Sequence, residues 1–100
     1  MNLGRDRFTY AVLLTLAAEG GWVVTCRDLP ALITQGENRQ DALAQAIDAM
    51  DELFTALILG RHDLPPPSPR RRGEVNVELP SVTAAKARRY IAMRETGSRV

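Results

Sequence analysis

The stretch Leu32-Ile33-Thr34-Gln35-Gly36-Glu37-Asn38-Arg39-Gln40-Asp41-Ala42-Leu43 holds the change of period that decides the fold. Before Gly36 the chain reads as strand. From Asn38 onward the apolar residues recur every three to four positions. Leu43, Ile47, Met50, Phe54 and Leu57 stack on one stripe, flanked by Ala46, Leu53 and Ile58. Asp41, Gln45, Asp48 and Glu52 fall on the far side. Asn38 suits an N-cap, with Asp41 three residues on in place of the Glu of a capping box, and Asp41 also suits the positive end of the helix dipole. Gly60 suits a C-cap, so the spacing predicts a helix over about residues 39–59.

Upstream, Tyr10-Ala11-Val12-Leu13-Leu14-Thr15-Leu16 has period two. Tyr10, Val12, Leu14 and Leu16 share the face expected to be buried; Thr9, Ala11, Leu13 and Thr15 share the other. Gly20-Gly21 closes a turn, and Trp22-Val23-Val24-Thr25-Cys26-Arg27 returns as the second strand of an antiparallel hairpin. Asp28-Leu29-Pro30 stops that strand, because proline cannot donate to a ladder. Residues 31–35 then form a short third strand, broken by Gly36.

Downstream, Pro65, Pro66, Pro67, Ser68 and Pro69 form a stiff connector, followed by Arg70-Arg71-Arg72-Gly73. Val75, Val77 and Leu79 alternate with Glu74, Asn76 and Glu78, which predicts a fourth strand over residues 74–79, placed at an edge. Pro80 ends it and Ser81 starts a second helix, expected to reach about Arg94 and to stop at Thr96-Gly97-Ser98. Its apolar side is thin: Val82, Ala85 and Ile91, with Tyr90 and Met93. It is therefore not expected to join the core fully. The fold class is α+β, a two-layer β-β-β-α-β sheet with one long helix packed on it, plus a C-terminal helix. Residues 1–64 are a β-β-β-α unit, 65–73 a connector, 74–80 the fourth strand of the same domain, and 81–100 the C-terminal helix.

Composition narrows the function. One hundred residues, 45% hydrophobic and 25% charged, make one small globular domain. No apolar run approaches a membrane span, and no signal peptide opens the chain. One cysteine excludes an internal disulfide and a cysteine-based zinc site, and the expected compartment is the cytoplasm. The net charge of +1 hides an asymmetry. Residues 1–60 carry four Arg against eight acids, a balance of −4; residues 61–100 carry nine Lys and Arg against four acids, a balance of +5. Such halves suit different partners.

The parts of an enzyme do not assemble. His62 lies past a helix end and Cys26 on a strand face expected to be buried, a poor nucleophile–base pair. The carboxylates do not converge as two-metal hydrolysis requires. Gly20-Gly21 opens a strand and has no following Lys-Ser or Lys-Thr, so no phosphate cradle forms. No cofactor is implied. Arg70, Arg71 and Arg72, with Lys86, Arg88 and Arg89 on the second helix, could contact nucleic acid, or be only a solvated basic surface. The reading is a binding module.

Several segments together resemble the HicB antitoxin family. They are Tyr10-x-Val12; Glu19-Gly20-Gly21-Trp22-Val23-Val24; the run from Asp28 to Gly36; Ala42-Leu43 and Ala46 opening a long helix; Leu64-Pro65-x-Pro67-Ser68; Val77-x-Leu79-Pro80; and Ala85-Lys86-Ala87. The resemblance covers roughly residues 8–93, and its most specific part is Asp28-Leu29-Pro30, Thr34 and Gly36 followed by the helix. It implies a partial RNase H-like fold and an antitoxin of a type II toxin–antitoxin pair. The partner it implies is a HicA-like toxin, a small basic mRNA-cleaving protein. It further implies a homodimer or higher oligomer, and operator DNA as a ligand only where a C-terminal DNA-binding domain is present; no membrane is involved. The second helix resembles the one that leads into such a domain.

The acidic front of the chain suits a cationic toxin as a phosphate mimic. The candidate toxin-binding residues are Asp28, Leu29, Pro30 and Leu32, on a segment expected to be an exposed loop, with Glu37, Asp41, Asp48 and Asp51. Val75, Val77 and Leu79 are the candidate oligomer interface, on an edge strand. The alternative function is a nucleic-acid-contacting regulator acting through the basic half.

Overall fold

Alternating apolar residues set up the sheet. Thr9–Leu16 (β1) and Trp22–Cys26 (β2) pair antiparallel, with Val12 opposite Cys26 and Leu14 opposite Val24. Ile33–Gly36 (β3) pairs antiparallel with β2, and Val75–Glu78 (β4) with β1, Tyr10 lying opposite Val77. The order across the sheet is β3-β2-β1-β4. Arg39–Leu59 (α1) crosses one face and Ser81–Gly97 (α2) packs against it. This is a computed structural model; it describes residues 8–97. The α+β class and the element order agree with the reading of the sequence.

The turn between β1 and β2 is closed by Gly20 N–H donating to the Ala17 carbonyl (3.0 Å), and both Gly20 and Gly21 have positive φ. That conformation strains any residue with a Cβ. Asn38 caps α1, its side-chain oxygen accepting from the Asp41 N–H at 2.8 Å.

The core lies between α1 and the sheet. Phe54 packs edge-on against Phe8 (centroids 6.1 Å apart) and tilted against Tyr10 (5.4 Å). Tyr10, Val12, Val24, Met50 and Phe54 are fully covered. Burying such side chains is the main stabilising term, about 1.5–3 kcal/mol each.

Several expectations are corrected. The fully buried stripe of α1 is Ala42, Ala46, Met50 and Phe54; Leu43 and Leu57 flank it half-buried, and Ile47 is exposed. Alanines at the front of the helix let its backbone come close to the sheet, which turns the larger residues aside. Leu16, beside the hairpin turn, is exposed. Residues 30–31 form a turn, and β3 begins at Ile33 and includes Gly36, because the Leu32 N–H closes on the Leu29 carbonyl (2.9 Å) around Pro30. α2 runs through Thr96 to Gly97, with the Thr96 hydroxyl donating to the Ala92 carbonyl; Ser98 lies outside the described residues.

α2 also joins the core, through Ala84 and Ala87, while Val82, Ala85 and Met93 face outward. Small residues suffice there because the Thr83 hydroxyl donates to the Asp51 carboxylate and the Tyr90 hydroxyl to the His62 carbonyl (2.7 Å). Those bonds hold the two helices together where large apolar residues are lacking.

Candidate interaction surfaces

The proline connector is strapped to the sheet by side chains far from it in sequence. The Asp28 carboxylate accepts the Ser68 N–H and the Ser68 hydroxyl, each at 2.8 Å. Arg27 donates from Nε and Nη2 to the two carboxylate oxygens of Glu74 (2.7 and 2.9 Å), from Nη1 to Ser68 Oγ (2.9 Å) and from Nη2 to the Pro69 carbonyl (2.9 Å). The Arg71 N–H reaches Glu74 Oε1 at 2.7 Å, and the Tyr10 hydroxyl donates to the Pro65 carbonyl.

The electrostatics follow from those partners. The Arg27 guanidinium, then the Arg71 amide, hold the Glu74 carboxyl down at about 2, against an ordinary 4.5. Bonding to Glu74 raises Arg27 in turn. Burial, aided by the Asp28 charge, pushes the Tyr10 phenol far up, so it stays a donor to Pro65. Burial likewise raises Cys26, a core thiol kept protonated. Among the described residues no group of three or more His, Cys, Asp or Glu could hold a metal, and no helix is long and apolar enough to cross a membrane.

The eight candidate toxin-binding residues do not form one patch. The expected exposed loop is only partly exposed: Leu29 and Leu32 are 1% and 2% exposed and plug the core, while Pro30 is on the surface. Asp28 is committed to Ser68, and Asp51 to Thr83 at the junction of the two helices. Glu37 and Asp48 remain exposed, and Asp41 is half-buried. Asp41, Asp48 and Glu52 lie along the outer face of α1, and Asp41 also accepts the Glu37 N–H at 2.9 Å. Glu37 and Asp41 line a notch at the hairpin end of the sheet together with Glu19 and Trp22. Arg39 stacks over that indole at 5.1 Å. Glu19 was not among the sequence candidates; its signal was its place in the Glu19-Gly20-Gly21-Trp22 turn.

Of the candidate oligomer residues, Val77 and Leu79 are buried and Val75 is half-buried. What β4 offers a neighbour is its backbone edge. The basic candidates separate in kind. Arg70 Nη1 donates to the Glu74 carbonyl (3.0 Å) and Arg71 is tied through its N–H, so the arginine run is anchored at the Glu74 turn, and Arg72 is exposed there. Lys86 and Arg89 line a groove between α2 and the end of α1, and Arg88 is exposed on α2.

Comparison with known proteins gives one consistent result. A family described as HicB_like antitoxin of bacterial toxin-antitoxin system matches residues 9–88. Antitoxin HicB 2 of Photorhabdus laumondii is 38% identical over 78 residues, covering 78% of this chain and 55% of that protein. Antitoxin HicB of Escherichia coli K12 is 36% identical over 77 residues, covering 77% of this chain and 56% of that protein. Antitoxin HicB 1 of Photorhabdus laumondii is 35% identical over 77 residues, covering 77% and 48% respectively. The chain spans about half the length of the curated relatives it matches.

Proposed function

This chain belongs to the HicB-like antitoxin family of bacterial toxin–antitoxin systems, and from that premise we propose that it neutralises a small basic, mRNA-cleaving toxin of HicA type by covering its RNA-binding surface. The observation that carries the reading is the acidic line on α1, exposed Asp48 and Glu52 with half-buried Asp41, continued at the hairpin end by Glu37 and Glu19. A rigid row of carboxylates competes with RNA phosphates for a cationic surface and steers the encounter. The reading gives the chain no catalytic step, places it in the cytoplasm and requires no cofactor. A four-stranded antiparallel sheet under one long helix is consistent with a partial RNase H-like fold. Operon autorepression belongs to the reading where a DNA-binding domain accompanies this one, and self-association belongs to it as well.

The test is association kinetics with a purified toxin of HicA type. Replacing Asp41, Asp48 and Glu52 with lysine should slow association at low salt by about tenfold or more, with a smaller effect at high salt. An unchanged association rate at low salt would overturn the acidic seat.

A further inference from the structure

The proline connector meets the domain with a period of three. A polyproline helix has three residues per turn and rises about 3.1 Å per residue. Pro65, Pro66, Pro67 and Pro69 favour it, since each proline fixes its own φ and biases the residue before it toward extended backbone. The domain holds the segment at Pro65, whose carbonyl accepts from the Tyr10 hydroxyl, and three residues later at Ser68, which bonds Asp28 and Arg27. Pro66 and Pro69, the positions that follow these two, are both exposed. Pro69 stays on the surface even though its carbonyl accepts from Arg27 Nη2 (2.9 Å).

The result is a proline ridge that is both fixed and open. In a polyproline helix the two exposed rings lie about 9 Å apart on one side of the segment. The bonds to Tyr10, Asp28 and Arg27 already order the backbone, so docking onto the ridge has little left to immobilise. A cleft lined by Phe8, Pro66, Pro67, Tyr90 and Ile91 runs beside it, so α2 leaves that flank uncovered. Beyond Pro69, Arg70 turns back to the Glu74 carbonyl (3.0 Å). Arg71 meets the domain through its backbone, its N–H donating to Glu74 Oε1 and its carbonyl accepting the Glu74 N–H, and it is exposed, as is Arg72. Residues 66–71 thus run proline, two residues, proline, one residue, arginine.

We propose that this ridge is a docking ligand for a protein that carries an aromatic-lined groove flanked by acidic residues, the mode in which proline-x-x-proline segments are recognised. Pro66 and Pro69 each fill a slot between aromatic walls. The Arg71 guanidinium pairs with the acidic flank, and because the cations lie at one end of the ridge they fix the direction in which the segment enters the groove. A nucleic-acid backbone would use Arg71 and Arg72 and leave the prolines idle. A small basic toxin offers no acidic flank. The partner is therefore a third protein, and the ridge shares no residue with the acidic row of α1, so this contact does not rest on toxin binding.

The probe is a purified SH3 domain of the kind that takes proline-x-x-proline-x-arginine peptides, titrated to about 1 mM into the full isotope-labelled chain and followed by the amide resonances. The amides of Ser68, Arg70, Arg71, Arg72 and Gly73 should shift, with a dissociation constant of about 100 μM. Pro66→Ala with Pro69→Ala should weaken binding at least about tenfold. Arg71→Glu, which keeps every proline, should do the same, and raising the salt should weaken the wild type towards it. All three altered side chains are exposed, and the amide spectrum of each variant shows whether the domain keeps its fold. No shift up to about 1 mM would overturn the proposal. So would shifts confined to other parts of the chain, or variants that bind the probe as the wild type does. Loss of affinity for an RNA duplex in Arg71→Glu, with probe binding unmoved, would assign the arginines to nucleic acid instead. Both variants keep Asp41, Asp48 and Glu52, so toxin association measured on them separates failure of this contact from failure of the acidic seat.

Discussion

Gly36 of β3 and Ala42 of α1 meet backbone to backbone. A Cβ on Gly36 would lie 2.3 Å from the Ala42 amide nitrogen and 2.6 Å from its Cα. No flexible side-chain end lies there to move aside, so the approach sets how close the first turns of α1 come to the sheet. Ala42 and Ala46, one turn apart on that side of the helix, are both fully buried.

Gly36→Ala should therefore lower stability by about 1–3 kcal/mol, as overpacking does in a tight core. The urea midpoint should fall with an unchanged slope. An unmoved midpoint would mean that the helix can lift off β3 at no cost.

Ser68 is the knot of the connector, donating to Asp28 and accepting from Arg27. Ser68→Ala removes one hydroxyl from two charged partners and should cost about 1–2 kcal/mol. It should also free residues 69–73. Limited trypsin digestion should then cut after Arg70, Arg71 or Arg72 faster than in the wild type, under conditions where both proteins remain folded. Equal cleavage rates would count against the strap.

The Glu74 carboxyl titrates at about 2 in the folded chain, against an ordinary 4.5. A group whose folded value is depressed favours folding when ionised. Its contribution is fully present above pH 4.5, shrinks as pH falls below that value and is gone below about 2. Glu74→Gln should lower stability at pH 7 and flatten the stability profile between those two pH values. Chemical unfolding at a series of pH values reads this directly; parallel profiles for the two proteins would remove Glu74 from the acid response.

Arg61, just past the end of α1, holds the left-handed conformation at φ 58°, so Arg61→Gly should relieve that strain and raise stability by about 1 kcal/mol, read as a higher thermal midpoint. A fall in the midpoint would show that the arginine side chain stabilises its own domain.

Much of the architecture is legible from local pattern. Period two in residues 10–16 and 22–26, the switch at Gly36–Asn38 and the Asn38 cap are short-range signals, and they put the elements in the right order. The rotation of α1 is not legible this way. A hydrophobicity count favours Leu43 and Ile47 over Ala42 and Ala46, yet it is the alanines that are fully buried, and a glycine faces the first of them across the contact. α2 misleads for a similar reason: two alanines, a threonine and a tyrosine hydroxyl hold it, and none of these scores as a core residue.

The site was read less fully than the fold. The row of acids on the outer face of α1 follows from helical spacing alone, and Asp48 and Glu52 stand open as the spacing requires, while Asp41 is half-buried at the start of the helix. Asp28 looked equally available in sequence, but its partner is forty positions away in a proline-rich segment, and no local pattern announces that pairing.

By itself the amino-acid sequence determined the order of strands and helices, the resemblance to an antitoxin family and the division into an acidic front and a basic back, because each rests on residue type and near-neighbour spacing. Tertiary structure alone decided which acids are spent inside the fold, which leucines leave the surface, and that Arg61, Lys86 and Arg89 share one groove. Those outcomes depend on contacts between distant segments, whose geometry exists only once the chain has packed.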